Sequence, residues 1–256
     1  MNAFSLSGRV ALVTGGAGHL GRSMCCGLAE AGAHVLVNGR DPARTEAFAA
    51  ELRQQGHSAE ALPFDVTDSP RAASITGALQ RLDILVNNAG PIQTGTIDTV
   101  ASSAFATAAA GIVEAAFVLV QAALPLLRVR GGSVINIASM YGIVSPDPGI
   151  YGNSGFNNPP QYGAAKAGLI QLTRYLACHL APEGVRVNAV SPGPFPVREK
   201  LASEHPEFLQ ALERKVPMRR VGRPDELGGV VVFLASDASS YVTGANIPVD
   251  GGWTAW

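Results

Sequence analysis

Short apolar runs alternate along the chain with longer stretches whose apolar positions recur every three to four residues. The runs at 9–14 (RVALVT), 34–37, 59–64, 82–87 (LDILVN), 133–138 (SVINIA), 185–190 and 245–249 have strand length and many β-branched residues. Between them the periodicity predicts helices over 20–31, 42–55, from 68 onward, across much of 100–128, over 161–180 and over 224–235. Pro42 suits a first helical turn, where its missing N–H costs nothing, and Asp68 is a good N-cap. Strands that alternate with helices indicate parallel βαβ units, and strands this uniformly apolar are buried on both faces. The expected fold class is therefore α/β: one doubly wound parallel sheet with helices on both faces, a single domain over 1–256. The least regular stretches, 142–160 and 192–216, follow strands at their carboxyl ends. Ligands bind at that edge of a doubly wound sheet, so both stretches are expected to be substrate loops.

Composition narrows the function classes. Apolar residues make up 47% of the 256 positions, which excludes a disordered chain. Nineteen basic residues against twenty acidic ones give a net charge of -1, too balanced for nucleic acid or a polybasic membrane contact. Cys25, Cys26 and Cys178 show neither a disulfide framework nor metal-ligand spacing, and no His and carboxylate cluster suggests a metal. A reduced, cytoplasmic protein is expected, with no signal peptide at the N-terminus. The apolar stretch 104–127 is interrupted by Glu114, Gln121 and Pro125, and reads as a core or subunit-interface helix rather than a membrane span. Only three lysines occur: Lys166, Lys200 and Lys215.

Two clusters carry chemistry. The first is Gly15, Gly16, Gly18, His19, Leu20 and Gly21, directly after a strand and opening a helix. Glycines there let the backbone approach a pyrophosphate, whose charge meets the free N–H groups of the helix start. At the end of the second strand stands Asn38-Gly39-Arg40-Asp41. A carboxylate at the strand tip would favour NAD, and an arginine would pair with the 2′-phosphate of NADP. Gly39 leaves no carboxylate at the tip and Asp41 suits a helix cap, so NADP(H) is favoured over NAD(H) through Arg40. The second cluster is Tyr162 and Lys166, four apart on one helix face. A neighbouring ammonium lowers a phenol's pKa and makes proton exchange at neutral pH feasible.

Together with Asp65-Val66, Asn87-Asn88-Ala89-Gly90, Asn136 to Ser139 and Asn188 to Gly193, these motifs resemble the short-chain dehydrogenase/reductase family over nearly the whole chain. The resemblance implies a seven-stranded Rossmann-type sheet and a nicotinamide cofactor. It implies Tyr162 as acid/base, Ser139 as the hydrogen-bond partner of the substrate oxygen, and Lys166 as the holder of the nicotinamide ribose that acidifies the tyrosine. Asp65 and Val66 would meet the adenine, and Asn88, Ala89, Gly90, Pro192 and Gly193 would line the cofactor groove. The family is commonly tetrameric, so a homotetramer or homodimer is expected, with helices near 100–128 and 161–180 in one interface.

Three departures stand out. His19 occupies a usual glycine position, which is acceptable if its φ is negative. Ile112 falls where the family carries an asparagine that holds a relay water, and isoleucine cannot hold one. The step from Ser139 to Tyr162 exceeds the usual one by on the order of ten residues, and such loops are usually functional. The extra segment, 146–160, is rich in amides and hydroxyls, as in family members acting on sugars and sugar acids such as gluconate 5-dehydrogenases. The expected activity is interconversion of a secondary alcohol and a ketone, possible substrates including a sugar or sugar acid. A 3-oxoacyl-type or general ketone reductase is one alternative, and a nucleotide-binding pseudoenzyme or regulator with a relay impaired at Ile112 is another.

Overall fold

The structure is a computed structural model that describes residues 3–91 and 94–256. The apolar runs form β1 (Val10–Val13), β2 (His34–Val37), β3 (Ala59–Ala61), β4 (Ile84–Asn87), β5 (Ser133–Ile137), β6 (Arg186–Pro192) and β7 (Asn246–Val249). They build one seven-stranded sheet in the order β3-β2-β1-β4-β5-β6-β7, and every pairing is parallel. The strand order reverses at β1, which pairs with β2 on one side and β4 on the other. Loops diverge there in opposite directions and leave a crevice at the carboxyl ends of the strands. β4 and β5 are buried at every position, as their unbroken apolar character requires.

The helices are α1 (His19–Glu30), α2 (Pro42–Gln54), α3 (Ser69–Gly77), α4 (Ser103–Ala108), α5 (Ala115–Leu127), α6 (Pro160–Leu180), α7 (Arg198–Glu204), α8 (Pro206–Lys215) and α9 (Gly228–Ala235). Asp41 and Asp68 cap α2 and α3 by accepting the Arg44 and Arg71 N–H groups. Successive strand residues face opposite sides of the sheet, so two cores form. Val13, Val35, Val37 and Ile135 pack with Met24 and Leu28 of α1, Phe48 of α2 and Leu234 of α9. Leu12, Leu85, Val134 and Val187 pack on the other face with Ala72 of α3, Leu119 and Ala123 of α5, and Leu176 of α6.

Two stretches differ from the expectation. The stretch expected as one helix across 100–128 is α4, a π-helical turn at Ala109–Glu114, and α5. This segment, Ser103–Leu127, is the one helix among the described residues long and apolar enough to cross a membrane. Here it packs against α3, α6 and the sheet, with Leu119, Val120 and Ala123 in the core, which matches the reading of a core helix. The second difference lies within 192–216, expected to be irregular, where α7 and α8 form. Pro206 occupies the first turn of α8, Leu209 and Leu212 bury one face, and Arg214 and Lys215 complement the dipole of the last turn. Those signals stand in the sequence, but the helices are short and the polar outer face masks them.

Candidate active site

The glycine-rich turn begins where β1 ends. Gly15 has φ 62, a left-handed conformation that a side chain would strain. Gly21 packs on it so closely that a Cβ would lie 2.1 Å from the Gly15 carbonyl oxygen. Helix α1 therefore starts directly against the strand end. Its N-cap Gly18 provides no side-chain cap and its first turn holds no acidic residue, so the N–H groups of His19, Leu20 and Gly21 stay open to an anion. Arg219 is the one described non-glycine with positive φ, so His19 meets the condition its departure from glycine demands. Its Nε2–H donates to the Phe195 carbonyl at 3.1 Å, tying the glycine turn to the segment after β6. Gly16 alone of the expected cofactor residues does not line the crevice: its N–H donates inward to the Asn38 carbonyl at 2.8 Å.

The crevice measures about 720 Å³ and runs over the carboxyl ends of the central strands. At one end Arg40 is exposed on the rim, while the Asp41 carboxylate is engaged 3.1 Å from the Arg44 N–H as the cap of α2. Asp65 and Val66 line the same end. Burial pushes the Asp65 carboxyl up, but the Thr67 N–H and hydroxyl, donating at 2.9 and 2.8 Å, and the Arg40 charge hold it below the usual range. In the middle, Thr14 Oγ1 accepts the N–H groups of Asn88 and Ala89 at 2.9 and 3.0 Å. Asn88 Nδ2 donates to the Thr14 and Gly15 carbonyls at 2.8 and 3.2 Å. These bonds hold Asn88, Ala89 and Gly90 against the glycine turn, as part of the crevice wall.

At the other end stand Ser139, Tyr162, Lys166, Pro192 and Gly193. Ser139 follows β5, and its Oγ accepts the Tyr141 N–H at 3.1 Å. One helical turn separates Tyr162 from Lys166 on α6. Lys166 is buried; its Nζ donates to the Ile137 carbonyl at 2.6 Å and lies 5.7 Å from the centre of the Tyr162 ring. Burial pushes the phenol up, and the opposing pull comes from a hydrogen bond with Ser139. The ammonium faces a carbonyl instead, and burial lowers its own pKa to about 8.

That lowered value sets a pH dependence. Between about 8 and 10.5 the unfolded chain holds a proton on this lysine that the folded chain has released. Its contribution to stability is thus unfavourable below about 8 and is relieved as pH rises. Urea unfolding of the natural chain and Lys166→Met is expected to show their stability difference moving in favour of the natural chain from pH 8 to 10. A pH-independent difference contradicts the assignment.

Ile112 lies where its position in the sequence implies. It is buried in the π-helical turn, lines the crevice with Lys166 and packs with Ala108, Ala165 and Tyr162. The extra loop is an ordered wall. Ile150 joins Leu201, Leu209 and Leu212 in an apolar cluster, Phe156 stacks on Phe208 at 5.0 Å, and Asp147 pairs with Lys215 at 3.0 Å. The Tyr141 and Tyr151 hydroxyls meet at 3.3 Å. Arg198 and Lys200 pair with Glu213 and Glu204, which makes them part of a solvated face. Ile137 and Ala138, in the motif that ends at Ser139, also line the crevice, while sequence reasoning missed Phe64, Thr67, Pro91 and Phe195 in its wall and Gln161 beside Tyr162, none of which carried a motif.

The comparisons with known proteins agree with this geometry. The family model described as enoyl-(acyl carrier protein) reductase matches residues 15–254. The rhamnolipids biosynthesis 3-oxoacyl-[acyl-carrier-protein] reductase of Pseudomonas aeruginosa is 37% identical over 260 residues, covering 98% of each chain. A gluconate 5-dehydrogenase from Burkholderia cenocepacia, solved with NADP and tartrate, superposes with a TM-score of 0.90 at 30% identity, over 100% of this chain and 98% of that one. The RhlG/NADP active-site complex of Pseudomonas aeruginosa gives a TM-score of 0.89 at 36% identity, over 99% of both chains. A parallel sheet that opens on a glycine turn, matched end to end by reductases and dehydrogenases, places this chain in the short-chain dehydrogenase/reductase family of NAD(P)-dependent oxidoreductases.

Proposed function

We propose that the protein interconverts a secondary alcohol and a ketone with NADP(H). The observation that carries this reading is the convergence of Ser139, Tyr162 and Lys166 at one end of a crevice whose other end holds Arg40. The crevice fits a dinucleotide: about 720 Å³ of space, an uncapped helix start and a glycine turn that admits no side chain at Gly21. Gly15, Gly18, His19, Leu20 and Gly21 would hold the pyrophosphate, Asp65 and Val66 the adenine, and Arg40 the 2′-phosphate. Asn88, Ala89, Gly90, Pro192 and Gly193 would flank the rest of the molecule. When bound, the nicotinamide exchanges a hydride with the substrate carbon.

The chain's own residues do the rest. Tyr162 gives a proton to, or takes one from, the substrate oxygen, and Ser139, bonded to the phenol, orients that oxygen. Lys166 is held by the Ile137 carbonyl with its ammonium 5.7 Å from the centre of the phenol ring, and would hold the nicotinamide ribose. The substrate sits under two walls, 142–160 and 192–216, joined by the contacts of Ile150, Phe156 and Asp147 with α7 and α8. The abundance of amides and hydroxyls in the segment 146–160 supports a polyhydroxylated ketone or sugar acid as the substrate. The gluconate 5-dehydrogenase neighbour, solved with tartrate, supports that choice, while the 3-oxoacyl-[acyl-carrier-protein] reductase relative supports a 3-oxoacyl substrate as the second reading. The apolar side chains of Phe105, Phe117 and Tyr175, exposed on the helices of 103–127 and α6, suit contact with further copies in a cytoplasmic homotetramer or homodimer.

A panel of hydroxylated ketones, sugar acids and 3-oxoacyl thioesters, followed at the reduced-nicotinamide absorbance with both cofactors, tests this reading. Activity confined to 3-oxoacyl thioesters refutes the substrate class, and no turnover with any of them favours the pseudoenzyme. His19→Ala is expected to speed release of the reduced cofactor about 2- to 10-fold, the worth of one hydrogen bond, in stopped-flow fluorescence. An unchanged release rate shows that the His19–Phe195 clasp does not gate the crevice.

A further inference from the structure

Gln161 directly precedes Tyr162 at the start of α6, and its side chain has no partner among the described residues. The residue is 2% exposed, yet both Oε1 and Nε2 lack a hydrogen bond among the described residues. Buried amides in native proteins are paired with protein or with ordered water. Gln161 borders a small cavity whose other walls are Pro91, Ala108 and Tyr162. The space open to the centre of a water molecule there is about 10 Å³, the threshold for one water. Pro91 and Ala108 offer apolar side chains, Gln161 offers its amide, and Tyr162 completes the wall.

We propose that this cavity holds one ordered water bound by the Gln161 amide, and that this water exchanges protons with Tyr162. The inference rests on Tyr162 acting as the acid/base. In carbonyl reduction Tyr162 gives its proton to the substrate oxygen and must recover one before the next turnover. Its neighbours Ala108, Ile112, Ala165 and Leu169 are apolar and carry no proton, and the Ser139 hydroxyl is committed to orienting the substrate oxygen. Lys166 is engaged with the Ile137 carbonyl. The phenolate takes one proton from the bound water as that water takes one from solvent, so one solvent proton is consumed per carbonyl reduced. Alcohol oxidation runs the same transfers backwards. The amide neither gains nor loses a proton, which makes Gln161 a positioning residue. Asn158, in the segment leading to α6, has a further buried acceptor, Oδ1, without a partner among the described residues.

The test uses the full chain with Gln161→Leu and Gln161→Ala. A high-resolution crystal structure of the natural chain is expected to show a water within hydrogen-bond reach of the Gln161 amide, lost in Gln161→Leu. Gln161→Leu fills the space and is expected to lower turnover roughly tenfold or more at unchanged KM, with a larger solvent isotope effect. Gln161→Ala leaves room for water but no amide to hold it, and its rate is expected to fall between the natural one and that of Gln161→Leu. A packing role gives the opposite order, because alanine leaves a hole that leucine does not. A dry cavity in the natural chain, a Gln161→Leu rate equal to the natural one, or Gln161→Ala slower than Gln161→Leu overturns the inference. Activity surviving in Tyr162→Phe strikes the reading of the whole site, whereas a dry cavity with Tyr162 still required strikes this inference alone.

Discussion

Tyr162→Phe is expected to lower turnover by about 10²-fold or more while cofactor affinity stays near its natural value. The substitution removes one oxygen and leaves the ring, so the packing of residue 162 with Ile112, Ala165 and Leu169 survives. What is lost is the proton that the phenol holds. Burial raises the phenol's pKa and the Ser139 hydrogen bond opposes it. A phenol kept protonated in the resting state is a donor ready for a substrate oxygen that gains negative charge. Single-turnover absorbance at the reduced-nicotinamide band gives the rate, and fluorescence titration gives the cofactor affinity. Retention of more than a few per cent of the natural rate would transfer the acid/base role to another group.

On the proposed reading, Lys166 serves the ribose end of the cofactor while its Nζ is held by the Ile137 carbonyl. Ser139, fixed by the Tyr141 N–H, pairs with the phenol. The three residues would then divide into a proton carrier, an orienting hydroxyl and a buried cation.

Where the chain's chemistry is written in residue type and short spacing, the sequence reveals it. The strands were legible because unbroken runs such as 133–138 have no other stable use than a sheet buried on both faces. Gly15, Gly18, Gly21, Tyr162 and Lys166 were legible because spacing and helical periodicity bring them to one edge, and that edge is the crevice. Glycine spacing alone cannot tell a residue that lines the crevice from one such as Gly16, which bonds inward to Asn38. The π-helical turn at Ala109–Glu114 has no sequence signature in a run of alanines and aliphatics, yet it sets Ile112 beside Tyr162. Helices α7 and α8 were hidden by their shortness. Gln161 was invisible for a different reason: its importance lies in a missing partner, which only packing reveals.

Arg40→Ala is expected to weaken NADP(H) binding roughly 10- to 100-fold, the worth of charge-assisted hydrogen bonds to a phosphate, and to leave NAD(H) binding almost unchanged. The argument rests on what the neighbouring groups are already doing. Asp41, the one carboxylate next to Arg40, accepts the Arg44 N–H as the cap of α2. Gly39 cannot be exchanged for an acidic residue without cost, because a Cβ there would stand 2.7 Å from Thr45 Oγ1. Thr45 Oγ1 is in turn bonded to the Asp41 carbonyl at 2.6 Å. The strand tip is thereby kept free of a carboxylate by the same hydrogen bonds that start α2. Arg40 is left on the rim, where its charge already acts on Asp65 across the crevice end. Titration of the natural chain and of Arg40→Ala with both cofactors decides the matter. Equal affinities in the natural chain, or an equal loss for both cofactors in the variant, would place Asp41 against the ribose and make Arg40 a solvated side chain.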